Sequence, residues 1–257
     1  MGFRSLVATL AVVAVTFSLP SPITGTDALD TGQKEAMEKV VREYLLKHPE
    51  VIVEAIRTFQ AREEQATKER AQANLVARRN ELVNDPTSPI AGNPDGDVTI
   101  VEFFDYRCGF CKQVLPIVMA LMEDDPNVRY VFKEFPILGP ESVVASRAAL
   151  AAWRLDKDKY LAFHLALMGS RGSLPESKVM KLAAKSGYDV EELRRELTDP
   201  EIEVALKQNL QLADSLNING TPTFIIGNRL FPGAITAKAL NGAVADTREA
   251  CQKTGIC

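Results

Sequence analysis

Cys108-Gly109-Phe110-Cys111 sets two thiols three positions apart, directly behind the apolar run Val98-Thr-Ile-Val-Glu-Phe-Phe104. The run predicts a buried strand feeding a helix that starts at the first cysteine. Cys111 then lies one turn later on the same face, so the two sulfurs reach bonding distance without moving the backbone. Unpaired N–H groups and the macrodipole at a helix start favour a thiolate, and draw a cysteine pKa from roughly 8.5 into a range of about 3.5 to 7.5. A thiol of low pKa is a good leaving group, so a disulfide made through it breaks readily and the pair tends toward the oxidising end. Arg107 adds a cation beside it. The chemistry this spacing serves is reversible dithiol–disulfide exchange.

A C-x-x-C is also half of a zinc site. No second C-x-x-C follows, however, and the two histidines, His48 and His164, fall far away on helical patterns. Cys251 and Cys257 are spaced outside the usual ligand pattern. The residues therefore favour redox chemistry, with no metal and no cofactor expected.

Positioning such a pair takes more chain than the motif. Residues 1–28 read as a secretory signal: Arg4, an apolar stretch from Leu6 to Leu19, then Pro20-Ser-Pro22 and a small-residue site at Thr26-Asp27-Ala28. An uncleaved N-terminal anchor is the alternative. Export places the cysteines in an oxidising compartment, expected to be the periplasm. The formal net charge of −4 offers nothing to nucleic acid.

Gln33 to Asn84 reads as helix, broken at His48-Pro49-Glu50 because the residue before proline is pushed out of helical geometry. Met37, Val40, Val41, Tyr44 and Leu45 share one face, and Ile52, Ala55, Ile56 and Phe59 another, with nothing local to pack on. Residues 29–60 are thus expected to join copies of the chain. The alternative is that the whole segment folds back on the catalytic domain. Gln60 to Asn74 has alanines as its only apolar residues and reads as a solvated helical spacer, running on to a linker that ends near 92. The turn-rich stretch Asp85–Gly96 precedes a catalytic domain over 93–257. Within it follow a helix from Cys108 to Glu123, a strand at Val128–Phe135, four or five helices over about 140–216, a hairpin of Thr223–Ile226 and Arg229–Phe231, and a helix from Thr236 to Lys253. The expected class is α/β: a thioredoxin-like fold with a helical insertion, preceded by an N-terminal helical oligomerisation segment.

Over roughly 95–250 the residues resemble the DsbA-like branch of the thioredoxin superfamily. Beyond the C-x-x-C, the resemblance rests on Pro116, on Gly220-Thr221-Pro222-Thr223-Phe224 as a cis-proline loop facing the sulfurs, and on Glu102, six residues before Cys108, as the family's buried acid. Asp105 is the second candidate acid. The resemblance implies that Cys108 is the nucleophile, that Cys111 resolves the mixed disulfide and that Glu102 relays a proton. Thr221, Pro222 and Phe110 are then expected to contact substrate, the extended segment pairing with the backbone of Thr221. Gly-Phe departs from the Pro-His of the strongly oxidising DsbA and sits nearer the Gly-Tyr of the DsbC isomerases, and threonine before the proline resembles the isomerase form. With its helical N-terminal segment, the chain is most similar to oligomeric ScsC-type, DsbA-related proteins. That resemblance implies an exported disulfide isomerase. Its partners would be unfolded or misoxidised envelope proteins and a membrane redox partner that resets the dithiol. A DsbA-like oxidase, or a copper-binding or chaperone-like envelope protein, is the alternative. For Cys251 and Cys257 the first reading is a structural disulfide closing a small loop, the others being free thiols or an intermolecular bridge.

Overall fold

The computed structural model describes residues 30–254. The signal or anchor segment and Cys257 lie outside the described residues. The chain divides into two compact units, Met1–Phe59 and Gln60–Cys257.

In the first unit, helix α1 (Thr31–Lys47) opens on a capping box. The Asp30 carboxylate accepts from the Gln33 amide at 2.8 Å, and the Gln33 side chain accepts from the Asp30 amide at 3.2 Å. The helix stops at His48, as Pro49 predicts, and α2 (Glu50–Ala77) begins immediately after. Nothing in α1 is buried. Met37, Val40, Val41 and Tyr44 are exposed, as are Ile52, Ile56 and Phe59 at the start of α2.

The second unit takes in the rest of α2, α3 (Arg79–Val83), β1 (Ile90–Gly92), β2 (Val98–Phe104), α4 (Gly109–Asp124) and β3 (Val128–Glu134). The helical insertion follows as α5 (Pro140–Leu155), α6 (Lys157–Met168), α7 (Glu176–Lys185), α8 (Val190–Glu196) and α9 (Pro200–Ser215). Hairpin β4 (Thr223–Ile226) and β5 (Arg229–Pro232) and helix α10 (Ala237–Thr254) close it. Among the described residues the strands form one sheet in the order β1-β3-β2-β4-β5, with β2 and β3 parallel and the other pairs antiparallel. This is the thioredoxin-like arrangement that the sequence predicts, with five helices in the insertion.

Strand alternation decides which residues meet the cysteines. Ile100 and Phe104 of β2, Tyr130 and Phe132 of β3, and Phe224 and Ile226 of β4 face one core, shared with Cys108, Cys111, Val114 and Val118. Glu102 has the parity of that set. Val101, Phe103, Val131 and Ile225 face a second core, closed by Leu212 of α9, its C-cap Leu216, and Leu75 and Leu82. Because Leu75 and Leu82 are core residues, the second unit starts well before residue 93, at Gln60. Residues 61–74 are mostly exposed, whereas 75–92 belong to the packed body. Strand β1, in the stretch read as a turn-rich boundary, pairs Ala91 with Tyr130. Gly92 (φ +71°) permits this close approach, since a Cβ there would stand 2.5 Å from the carbonyl oxygen of Val128.

Candidate active site

Strand β2 delivers Asp105-Tyr106-Arg107 to the rim and hands over to α4 at Cys108. Asp105 fixes the turn. Its carboxylate accepts from the Arg107 amide (2.7 Å), the Leu138 amide (2.9 Å) and the Ser142 hydroxyl (2.7 Å). Those three bonds make Asp105 the anchor of the turn.

Cys108 is the N-cap of α4, and its sulfur accepts from the Cys111 amide at 3.3 Å, the bond that a serine or aspartate makes at this position. In its protonated form the thiol also donates to the Thr221 carbonyl at 3.2 Å. The peptide bond between Thr221 and Pro222 is cis, and this loop faces the sulfur. Both thiols are free, with Cys108 5% exposed and Cys111 fully buried. Hydrogen bonds from the Cys111 thiol, then from Thr221 and the Cys111 and Phe110 amides, outweigh burial and hold the Cys108 pKa down at about 6. Burial, the bond to Cys108 and the charge of Glu102 push Cys111 far up. One sulfur is a thiolate at neutral pH and its neighbour a thiol.

Glu102 lies in the same core, 3% exposed, and accepts from the Tyr130 hydroxyl at 2.6 Å. Its other oxygen, Oε1, has no hydrogen-bond partner among the described residues. Burial raises its pKa to about 8, against the Tyr130 bond and reinforced by the Cys108 charge. The group is therefore protonated at neutral pH.

Phe110 is 61% exposed, and a Cβ added at Gly109 would meet nothing within 4 Å. The dipeptide between the cysteines thus faces open space. Arg107, by contrast, does not stand free beside Cys108. It donates to the Leu138 carbonyl (2.9 Å) and pairs with Glu141 (3.4 Å). Cys251 is buried and disulfide-bonded.

Sequence reasoning missed a second buried acid. Glu134 is fully buried and accepts from Tyr106 (3.0 Å) and Ser146 (2.7 Å), while Tyr106 also bonds His164 (3.1 Å). Burial keeps Glu134 well above the usual carboxylate range and lowers His164 to about 3. The signal was present in Lys133-Glu134. Two charges side by side in an apolar strand must occupy opposite faces, so one charge falls in each core.

A dithiol at the junction of strand and helix, with a cis-proline loop over its outer sulfur and a buried acid under its inner one, defines a thioredoxin-fold site for dithiol–disulfide exchange. Residues 99–245 match the DSBA-like thioredoxin domain and residues 33–66 the Copper resistance protein ScsC N-terminal domain. The chain belongs to the DSBA-like thioredoxin family. Among solved structures it is similar to a thioredoxin-like oxidoreductase from Silicibacter pomeroyi DSS-3, at 46% identity and TM-score 0.64, covering 66% of this chain and 98% of that one. It is also similar to Proteus mirabilis ScsC in a transitional conformation, at 31% identity and TM-score 0.65, covering 87% and 98%. A curated relative is the Na(+)/H(+) antiporter NhaA 1 of Salinispora arenicola, 31% identical over 157 residues. That match spans 60% of this chain but 24% of the antiporter, so the chain covers about a quarter of the first curated relatives.

Proposed function

We propose that the chain is an exported thiol–disulfide oxidoreductase acting on cysteines of envelope proteins, and that it works chiefly as a disulfide isomerase. The observation that carries the reading is the split between the sulfurs: Cys108 held as a thiolate at the N-cap, Cys111 a buried thiol one turn on. In isomerisation the Cys108 thiolate attacks a wrong disulfide, forming a mixed disulfide and releasing a substrate thiolate. That thiolate attacks elsewhere in the substrate, and a final exchange frees Cys108. When the substrate stalls, Cys111 attacks Cys108 Sγ, its proton taken by the ionised fraction of Glu102 and passed on to the medium, and the substrate leaves reduced. Thr221 and Pro222 dock the extended segment and Phe110 flanks it.

The isomerase direction is supported by threonine before Pro222, by the Gly-Phe dipeptide, and by the uncovered apolar face of residues 31–59, which would gather several dithiols by joining copies of the chain. Residues 1–28 as a signal, the periplasm as compartment and a Cys251–Cys257 bridge belong to the same reading. Among the described residues no helix is long and apolar enough to cross a membrane. A second reading, a soft Cu(I) site at the dithiol, is favoured by the family description of residues 33–66.

Reactivation of scrambled ribonuclease by the reduced full chain tests both levels. Cys108→Ser should abolish reactivation. Val40→Lys with Ile56→Lys should reduce the sedimentation coefficient to that of one chain and lower reactivation at least about fivefold, while insulin reduction persists. A double variant that keeps both size and isomerase activity would overturn the shared-assembly direction. Tight Cu(I) uptake by a chain inactive on disulfides would favour the second reading.

A further inference from the structure

The rim of the dithiol carries ammonium groups that no carboxylate among the described residues pairs with. Lys112 follows Cys111, and its amide donates to the Cys108 carbonyl at 3.2 Å, so it stands one helical turn from the nucleophile. Its Nζ donates to the backbone carbonyl of Ser170. Lys178 of α7 donates to the next carbonyl, that of Arg171, at 2.7 Å and to Ser173 at 3.1 Å. Two lysines from different helices thus converge on consecutive carbonyls of the α6–α7 loop, and Arg171 on that loop is exposed. Glu141 is engaged elsewhere: it pairs with Arg107 and accepts from the Leu174 amide at 3.0 Å. Asp105 is buried under its own three bonds. Among the described residues neither lysine has a carboxylate within ion-pair distance. Lys178 and Arg107 both repel the charge on Lys112, whereas Asp105 and Cys108 attract it. This positive rim sits on a chain of net charge −4.

Like charges held together by neutral carbonyls are a costly arrangement that an incoming anion relieves. Both side chains are half-buried and pinned by the loop, so little ordering remains to be done when the anion arrives. We propose that Lys112 and Lys178, with Arg171, form a cationic rim that recognises carboxylates carried beside the reacting sulfur, so that cysteines flanked by Asp or Glu, and anionic small disulfides, exchange fastest. This deepens the thiol–disulfide reading above and rests on it.

The reaction balances without another reagent. The Cys108 thiolate attacks one sulfur of the disulfide RSSR, the S–S bond breaks, and RS⁻ leaves. Cys111, giving up its proton, then attacks Cys108 Sγ and expels the second RS⁻. The dithiol loses two electrons to become the Cys108–Cys111 disulfide, and RSSR gains them as two thiols.

The test is single-turnover oxidation of the reduced full chain by glutathione disulfide, hydroxyethyl disulfide and cystamine, followed by quenching and alkylation. Each rate is divided by that of dithiothreitol with the same disulfide. A cation and a carboxylate about 7 Å apart in water change a rate roughly threefold. The normalised ratio of glutathione disulfide to cystamine should therefore exceed about tenfold at low salt, collapse toward unity by about 1 M salt, and fall at least about tenfold in Lys178→Glu. Lys178→Arg should restore it. A ratio cancels any change in Cys108 itself, which would alter all three rates together. If the wild-type chain reacts with all three disulfides at a ratio near one, or if Lys178→Glu leaves the ratio intact, the rim is wrong and the exchange reading stands. If it reacts with none, both fall.

Discussion

A cysteine held at about 6 is some ten-to-one thiolate at pH 7, and a neighbour pushed far above 9 is not ionised at all. Because the Cys108 pKa is lowered, its reactivity is lost as pH falls through about 6. Alkylation of the reduced protein should be half-maximal there and should spare Cys111 until denaturant is added. A single midpoint near 9 would remove the thiolate. Glu102 works in the opposite sense. Its folded pKa of about 8 exceeds the ordinary 4.5, so between those values the folded chain keeps a proton that the unfolded chain has released. The carboxyl therefore erodes stability as pH rises through that window. Glu102→Gln should be more stable than the parent by on the order of 4 kcal/mol at pH 8, with no difference near pH 4, in urea titrations. It should also slow the attack of Cys111 on a mixed disulfide by about 10- to 100-fold. An unchanged rate there would take Glu102 out of proton transfer. The charged residues of the site differ in how they could be read. Glu102 was legible because one charge interrupts an apolar run at a fixed distance from Cys108. The engagement of Arg107 was not, because Leu138 and Glu141 reach it from another element.

Elements with local causes were readable in advance. The strand at Val98–Phe104, the break at Pro49 and the hairpin over Gly227-Asn228 follow from apolar pattern, proline and turn chemistry. Strand β1 was not, since three residues in a stretch rich in proline and glycine become a strand only by pairing with β3. The same holds for the stretch at 75–92, whose place is set by distant partners. Its anchor is Lys133, 1% exposed in β3, which donates to Asp85 at 2.7 Å and to the Glu81 carbonyl at 2.8 Å. Burial lowers the pKa of Lys133, and the Lys133 charge keeps Asp85 low although burial opposes it. Asp85→Asn leaves that ammonium buried without a counter-charge, and should cost about 3 kcal/mol in urea unfolding. Adding Lys133→Met should recover much of the loss. A loss below about 0.5 kcal/mol would mean that the carbonyl suffices.

At the scale of the whole chain, a division after the N-terminal helices was legible, because an amphipathic pattern with no local partner precedes a stretch with almost no apolar residue. Its place was not. Nothing in the periodicity distinguishes a spacer residue from Leu75 or Leu82, which are buried only because the sheet supplies Val101, Phe103 and Val131 opposite them. The core of the second unit closes without help from the pair between the cysteines. Gly109 has open space around it and Phe110 points outward, so neither carries any of the packing that holds α4 in place. Redox tuning and folding are therefore separately adjustable here: mutation can explore this dipeptide, and with it the driving force of exchange, while the scaffold stays indifferent to the outcome.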